Sequence, residues 1–286
     1  MANLNPERLS AYRKNTFYLK PGRRLRSQDE AVEFVNQRGF IFFWPIKDIT
    51  LPSLWVAAAG ERPVADRHDD PGHVTWGWKD GLLGKRRWYY AKVLRKKATM
   101  ISLDLAANFY ALSENYGAPE DDYLTLYEQG RLTLEAKTVY EVLLKEGPMD
   151  TIALRRATRL SSRDSDSRFN RAITDLQADF KILPTGVAKA GGWNYAFIYE
   201  ITARHYPLLP EKAHSISERS ARAAILEKYF ESVGAAQPGE IARLFRWEGP
   251  ALEKALDSLA ASGHIRRGLG LKNAPGEWIA LAELTG

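Results

Sequence analysis

A pattern of three helices followed by a β-hairpin is written twice in the second half of this chain, and a segmental repeat of that kind restricts the fold more than any single motif. The first copy spans residues 133–201. It opens with TLEAKTVYEVLLKEG, in which Leu134, Val139, Val142 and Leu143 share one helix face, and Gly147-Pro148 ends the run. DTIALRRAT predicts a short second helix. A third, over about 167–181, turns Phe169, Ile173, Leu176 and Phe180 inward and leaves Arg168, Asn170, Arg171, Thr174 and Gln177 on the opposite face. ILPTGVAKAGGWNYAFIYEI then reads as a strand, a Gly-rich turn carrying Lys189, and a strand rich in aromatic and branched residues. Three helices and a wing make a shape that grips duplex DNA, with the third helix as the recognition helix.

The second copy follows in the same order. SERSARAAILEKYFESVG, PGEIARLFRW, GPALEKALDSLAASGHI and RRGLGLKNAPGEWIALAEL match the first, second and third helices and the wing, with Trp278 standing where the first copy has its aromatics. Pro207 and Pro210 mark a linker between the copies, and the acidic stretch with Gly117-Ala118-Pro119 predicts a connection holding a short helix. Upstream, a helix is expected over about 6–18, then a basic turn, LKPGRRLR. Ser27 and Glu30 form a capping box for a helix that Gly39 stops. GFIFFWPIKDITLPSLWVAAAG predicts a buried strand leading into a helix near Pro52. The expected architecture is mainly α (α+β): tandem winged-helix domains with small β-hairpin wings. Its divisions are an irregular, basic unit at 1–115, a connection at 116–132, and further units at 133–206 and 207–286.

A net charge of +6 favours a polyanionic partner. The absence of cysteine excludes thiol chemistry, disulfides and Cys-based zinc sites together. No apolar run is long enough for a bilayer and the N-terminus, MANLNPERLSAYRKN, is polar, so a cytoplasmic protein with no membrane contact is expected. Basic residues concentrate at 85–97, where Lys85, Arg86, Arg87, Lys92, Arg95, Lys96 and Lys97 occur with no acid among them and Trp88, Tyr89 and Tyr90 interleave. That run reads as a phosphate track, or as a solvated helix face. With Arg23, Arg24, Arg168, Asn170, Arg171 and Lys189 it forms the set expected to meet double-stranded DNA. The segment HDDPGH holds the residue types of a metal site in His68, Asp69, Asp70 and His73. In a polar loop with no further ligands it reads as a turn with an Asp cap, and neither metal nor cofactor is expected.

Two stretches carry a family resemblance. Gly39-Phe40-Ile41 runs into Phe42-Phe43-Trp44 and Pro45-Ile46, and Trp76-Gly77-Trp78-Lys79-Asp80-Gly81-Leu82-Leu83-Gly84 follows later. With the tandem units behind them, these are similar to the AlkZ-like (YcaQ-type) DNA glycosylases, which unhook interstrand crosslinks and remove alkylated bases. The resemblance covers nearly the whole chain. In that family the first stretch continues with Gln-apolar-Gln or Gln-apolar-Asp, and the second reads Trp-Ala-His-Glu-Ala-Ser-Leu-Leu-Pro. The resemblance implies that a carboxamide or carboxylate at the first stretch orients the attacking water. Here Phe42 and Trp44 stand at those places, and neither side chain can hold a water in that way. Trp78 and Lys79 replace the His-Glu pair.

Loss of a positioned base or water-orienting group costs about two to four orders of magnitude in rate. The expectation is therefore a duplex DNA-binding protein, recognising distorted or damaged DNA, with its glycosylase residues replaced. The alternative is an active, monofunctional glycosylase whose chemistry has moved to Asp80, Lys79 or Asp48, with the flipped base held among Phe42, Trp44, Trp76 and Trp78. Against catalysis by Lys79 with Asp80, adjacent residues on a helix do not face one another, so the pair reads as solvated or phosphate-facing. Phe40 and Phe43 read as core. Two further alternatives are a winged-helix transcriptional regulator and a protein-docking array. Three non-identical units in one chain suit a monomer better than a symmetric dimer.

Overall fold

The computed structural model describes residues 3–67, 69–115, 117–272 and 274–285. A two-residue strand β1 (Asn3–Leu4) leads into α1 (Pro6–Thr16), capped by the Asn5 side chain. The first unit follows: α2 (Gln28–Arg38), β2 (Phe40–Phe42), α3 (Leu54–Ala59), α4 (Val74–Leu82), β3 (Tyr89–Ala91) and β4 (Thr99–Ile101). The expected capping residues act in a shifted register. Ser27 Oγ accepts from Glu30 N–H, while the Glu30 carboxylate takes the N–H of Arg26 rather than of Ser27. β2 and β3 both pair antiparallel with β4, giving the order β2-β4-β3. Next come α5 (Leu103–Ala111) and, inside the expected connection, α6 (Asp122–Glu128).

The second unit contains α7 (Leu134–Glu146), β5 (Met149–Asp150), α8 (Thr151–Ala157), α9 (Asp166–Ala178), β6 (Ile182–Ala188) and β7 (Ala196–Ile201). Two short helices, α10 (Thr202–His205) and α11 (Leu208–His214), connect it to the third: α12 (Glu218–Val233), β8 (Ala235–Ala236), α13 (Pro238–Phe245), α14 (Gly249–Ala261), β9 (Ile265–Leu271) and β10 (Ala274–Leu281). The local logic repeats. Thr133 and Ser217 cap α7 and α12 through their side-chain oxygens, and both helices stop at a glycine. In each unit the short strand after the first helix pairs with the last strand of the hairpin: β2 with β4, β5 with β7, β8 with β10. Among the described residues the fold is thus mainly helical, with three small sheets built on one plan.

One correction concerns α9. Phe169, Ile173, Leu176 and Phe180 are buried as expected, but so is Gln177, which the amphipathic pattern had placed outside. Its Oε1 accepts from the backbone N–H of Lys92 and its Nε2 donates to Ile173 O, so a polar side chain is buried with both ends satisfied. It joins α9 to the turn after β3.

The largest core crosses the divisions expected near 115 and 206. It holds Leu4, Leu9, Phe40, Tyr89, Phe180, Leu226, Phe230 and Trp278 together. β1 adds to the third sheet by pairing parallel with β9. α1 lies on α12, where Arg13 donates to Val233 O and Thr16 to Ser232 O, meeting carbonyls that the end of a helix leaves unpaired, and Arg13 also donates to Ala235 O in β8. No described helix is long and apolar enough to cross a membrane.

Candidate functional site between helix α4 and the second hairpin

The sequence of α4, VTWGWKDGL, sends Trp78 and Leu82 into the core beside Phe43. Lys79, a residue seldom buried, is only 4% exposed. The cause is the hairpin of the second unit, which closes over this helix. A Cβ at Gly84 would lie 2.5 Å from the carbonyl oxygen of Thr185, so the chain leaving α4 lies directly on β6 at a spot only glycine fits. That approach brings Tyr195 and Phe197 over Lys79.

Three polar groups meet there. Lys79 Nζ is 2.7 Å from Asp80 Oδ1 and donates to Tyr195 Oη at 3.0 Å, and Tyr195 Oη donates to Asp80 Oδ1 at 3.0 Å. Five rings surround the ammonium, with centroids at 4.6 Å for Phe197, 5.5 Å for Tyr90, 5.7 Å for Phe43 and Tyr195, and 5.9 Å for Trp76. Each presents electron density to a cation. Burial pushes the Lys79 ammonium below its usual range, and the adjacent Asp80 carboxylate opposes that shift. Burial and the Asp80 charge raise the Tyr195 phenol.

The expectation that Lys79 and Asp80 cannot meet is overturned. Their Cβ atoms leave the helix in different directions, but a four-carbon stem is long enough for the ammonium to come round to its neighbour, and the dry aromatic surroundings favour that ion pair over separation.

The four expected pocket residues divide. Trp44 and Trp76 come together at 6.2 Å, and His73 lies 6.0 Å from Trp44 and 5.8 Å from Trp76. Trp76 is 39% exposed and Trp44 half-buried, so this pair offers ring surface at the edge of the lysine cage. Phe42 and Trp78 do not line it: Phe42 is 1% exposed in the large core, and Trp78 packs with Leu82 and Phe43. Helix phase sets Trp76 and Trp78 on opposite sides of α4, and β2 ends at Phe42, so Trp44 lies beyond the strand and packs with Phe43 instead of following Phe42 into the large core. Phe40 and Phe43 are core, as the sequence suggested.

Asp48 lies apart from the cage, exposed in a surface depression with Lys47, Arg95, Lys97 and Arg243, and its carbonyl accepts from Arg243. In the HDDPGH segment, Asp70 Oδ1 accepts the N–H of Gly72 and pairs with Arg62, which is the capped turn expected. His73 meets the carbonyl of Ala65 and the tryptophans; Asp69 is exposed, and His68 falls outside the described residues. Elsewhere Glu227, Glu231 and His264 bring three donor atoms within 4.8 Å of one another, with Lys228 already paired to Glu231.

The basic run is not a helix face. It forms a turn, β3, and a 3₁₀ turn at Leu94–Lys96, with positive φ at Arg86, Arg95 and Lys96. Lys85, Arg86, Arg87, Lys92, Lys96 and Lys97 are exposed, while Trp88, Tyr89 and Tyr90 are buried and so are not a stacking surface. Acids absent from the run in sequence reach it in space: Asp29 pairs with Arg87, and Asp175 with Lys96. Arg95 is half-buried and donates to the carbonyl of Arg243. On α9, Arg168 pairs with Glu135 and Arg171 with Asp175, while Asn170 is exposed. Arg23 lies over the Tyr18 ring, and Arg24 is exposed. Lys189 and Trp193, 90% exposed, stand in the turn between β6 and β7.

A sequence profile described as AlkZ related matches residues 25–246. The chain belongs to the AlkZ-related family. Its fold is similar to that of the Streptomyces sahachiroi DNA glycosylase AlkZ, with a TM-score of 0.59 over 98% of this chain and 71% of that one, at 13% identity. Likeness at that identity speaks to the fold and leaves the chemistry to the site. No curated protein sequence matches the chain. The central feature of the site in this AlkZ-related protein is the cage around Lys79. Phe43 and Lys79 were in view from the sequence, yet Tyr90, Tyr195 and Phe197 were not assigned to them: Tyr90 reaches the cage from β3, and Tyr195 and Phe197 only through closure of a hairpin more than a hundred positions away.

Proposed function

We propose that this AlkZ-related protein binds duplex DNA, preferring distorted or damaged duplex, and that the glycosylase residues of its relatives are replaced. In this reading the three units are winged helices, each with its hairpin as the wing, and the protein acts as a monomer. The supporting observations are the exposed cations after α4, Lys85, Arg86, Arg87 and Lys92, and the hairpin turn that presents Lys189 and Trp193 to solvent. A rigid β-hairpin bearing an exposed indole and a lysine suits contact with a groove or an opened base step. Arg168, Asn170 and Arg171 on α9 extend the surface toward backbone phosphates. The structural relative is itself a DNA glycosylase.

Electrostatic binding of this kind has a measurable slope. If about four to six phosphates are neutralised, log affinity falls against log salt with a slope of roughly −4 to −5. Fluorescence anisotropy with intact, nicked and alkylated duplex at two salt concentrations, combined with a base-release assay on the same samples, tests both halves of the proposal. No binding at low salt removes the DNA-binding reading. Brisk release of modified base removes the claim that glycosylase chemistry is lost and points to the second reading, an N-glycosyl hydrolase with a rearranged site. That reading is favoured by the contact of Lys79 with Asp80.

A further inference from the structure

We infer that Lys79 is an amine nucleophile that captures the C1′ aldehyde of an abasic deoxyribose in DNA and promotes strand cleavage by β-elimination. The inference rests on the DNA-binding reading above and adds an activity to it. Its first support is the cost of keeping the group. A buried ammonium gives up much of its hydration, and an apolar side chain in such a cage is often neutral or stabilising by comparison. Lys79 is nonetheless a cation among five rings, which a purely structural staple between α4 and the hairpin does not require.

The second support is the match between surroundings and chemistry. Imine formation needs an amine that can shed its proton, and Asp80 Oδ1 at 2.7 Å is placed to take it. The low-polarity cage works in the same direction by disfavouring the charged amine. Once the imine forms it is protonated, so a cation is again present, and the rings and carboxylate that hold the ammonium suit the iminium equally. The third is access. Asp80 and Tyr195 are the partly exposed members of the triad, so the amine is reached from their side, where Trp76 and Trp44 offer ring surface and the turn carries Lys189 and Trp193. Displacing the Tyr195 hydroxyl, which meets both charged groups, opens that path.

The steps balance. Lys79 passes a proton to Asp80, and the neutral amine adds to the aldehyde carbon to give a carbinolamine. Asp80 returns the proton to the carbinolamine oxygen, which leaves as water, and the iminium remains. The carboxylate then removes a C2′ proton, the C3′–O bond breaks, and the electron pair departs with the 3′-phosphate. Water hydrolyses the iminium, restoring the protonated lysine and releasing an unsaturated aldehyde on the upstream fragment, and the C2′ proton passes from Asp80 to solvent.

The test uses the full chain and a labelled duplex with one abasic site, with borohydride added to reduce the iminium to a stable amine. The expected result is a protein–DNA adduct resistant to denaturant, with peptide mass spectrometry placing the link on Lys79. Lys79→Arg and Lys79→Met should lose the adduct. Asp80→Asn should slow strand cleavage more than adduct formation. Binding of the abasic duplex by anisotropy without an adduct overturns the inference and leaves the DNA-binding reading standing, whereas no binding overturns both. An adduct mapped to another lysine, or one undiminished in a folded Lys79→Arg protein, also overturns it. Mapping on the unaltered protein decides the question even where a variant does not fold.

Discussion

Replacing Tyr195 with Phe removes one oxygen and leaves the ring that faces Lys79 in place. That oxygen accepts from Lys79 Nζ and donates to Asp80 Oδ1, both at 3.0 Å, and so joins the hairpin to α4 through two charged partners. Hydrogen bonds to charged groups are worth about 1.5–3 kcal/mol when water cannot replace them. Tyr195 is 38% exposed, so water can partly take its place, and the expected loss for the pair of bonds is about 1–2 kcal/mol. In a chain of this size each kcal/mol shifts the melting temperature by roughly 2–4 °C. Urea unfolding and calorimetry of the wild type, Tyr195→Phe, Lys79→Met and the double variant give the coupling directly. The tyrosine substitution should cost much less once Lys79 is gone, with a coupling energy of about 1 kcal/mol. A cost below about 0.5 kcal/mol for Tyr195→Phe, or simple additivity with Lys79→Met, would refute the claim that this triad holds the hairpin down.

Other outcomes follow from particular contacts. Leu4 and Leu9 are buried in the core that also contains Phe230 and Trp278, so Leu4→Ala and Leu9→Ala should each destabilise the third unit by about 2–5 kcal/mol. Hydrogen exchange in α12 and β10 reads this, and unchanged protection there would mean that the N-terminal arm is not part of that core. Burial pushes Lys181 down to about 8 from 10.5, with Asp122 and Asp179 opposing, while its Nζ donates to Glu114 O and Asn115 Oδ1. Between those two values the unfolded chain holds the proton and the folded one does not, so this group's contribution to stability rises with pH across that window, by at most about 3 kcal/mol. The stability difference between wild type and Lys181→Met should grow over that range, and a flat difference would contradict the desolvation. Trp193→Ala, at a site 90% exposed, should leave the melting temperature nearly unchanged and weaken duplex binding by about 1–3 kcal/mol if the indole stacks on a base. Unchanged affinity would remove the hairpin turn from the binding surface.

Much of the scaffold was legible because its signals are local. The cap at Ser27 and the helix-stopping glycines Gly39 and Gly147 act within a few residues of themselves, so reading them needs no knowledge of the partner surface. The apolar positions of α9 were equally plain. The same local logic failed at Gln177, whose amide is buried because the backbone of Lys92 happens to need an acceptor there. It failed again at Trp88, Tyr89 and Tyr90, whose interleaving with the basic residues counts in the sequence toward a phosphate track and which are core.

The sequence by itself determined the order of helices and hairpins and the repeat that arranges them. These depend on side-chain period and residue chemistry, which are properties of short stretches. Tertiary structure alone decided that β1 completes the third sheet, that Phe42 and Trp78 turn inward while Trp44 meets Trp76, and that Tyr195 and Phe197 close over Lys79. The pairing of β1 and the closure over Lys79 join residues more than a hundred positions apart, and the burial that pushes this ammonium below its usual range is completed only once the hairpin has docked on α4.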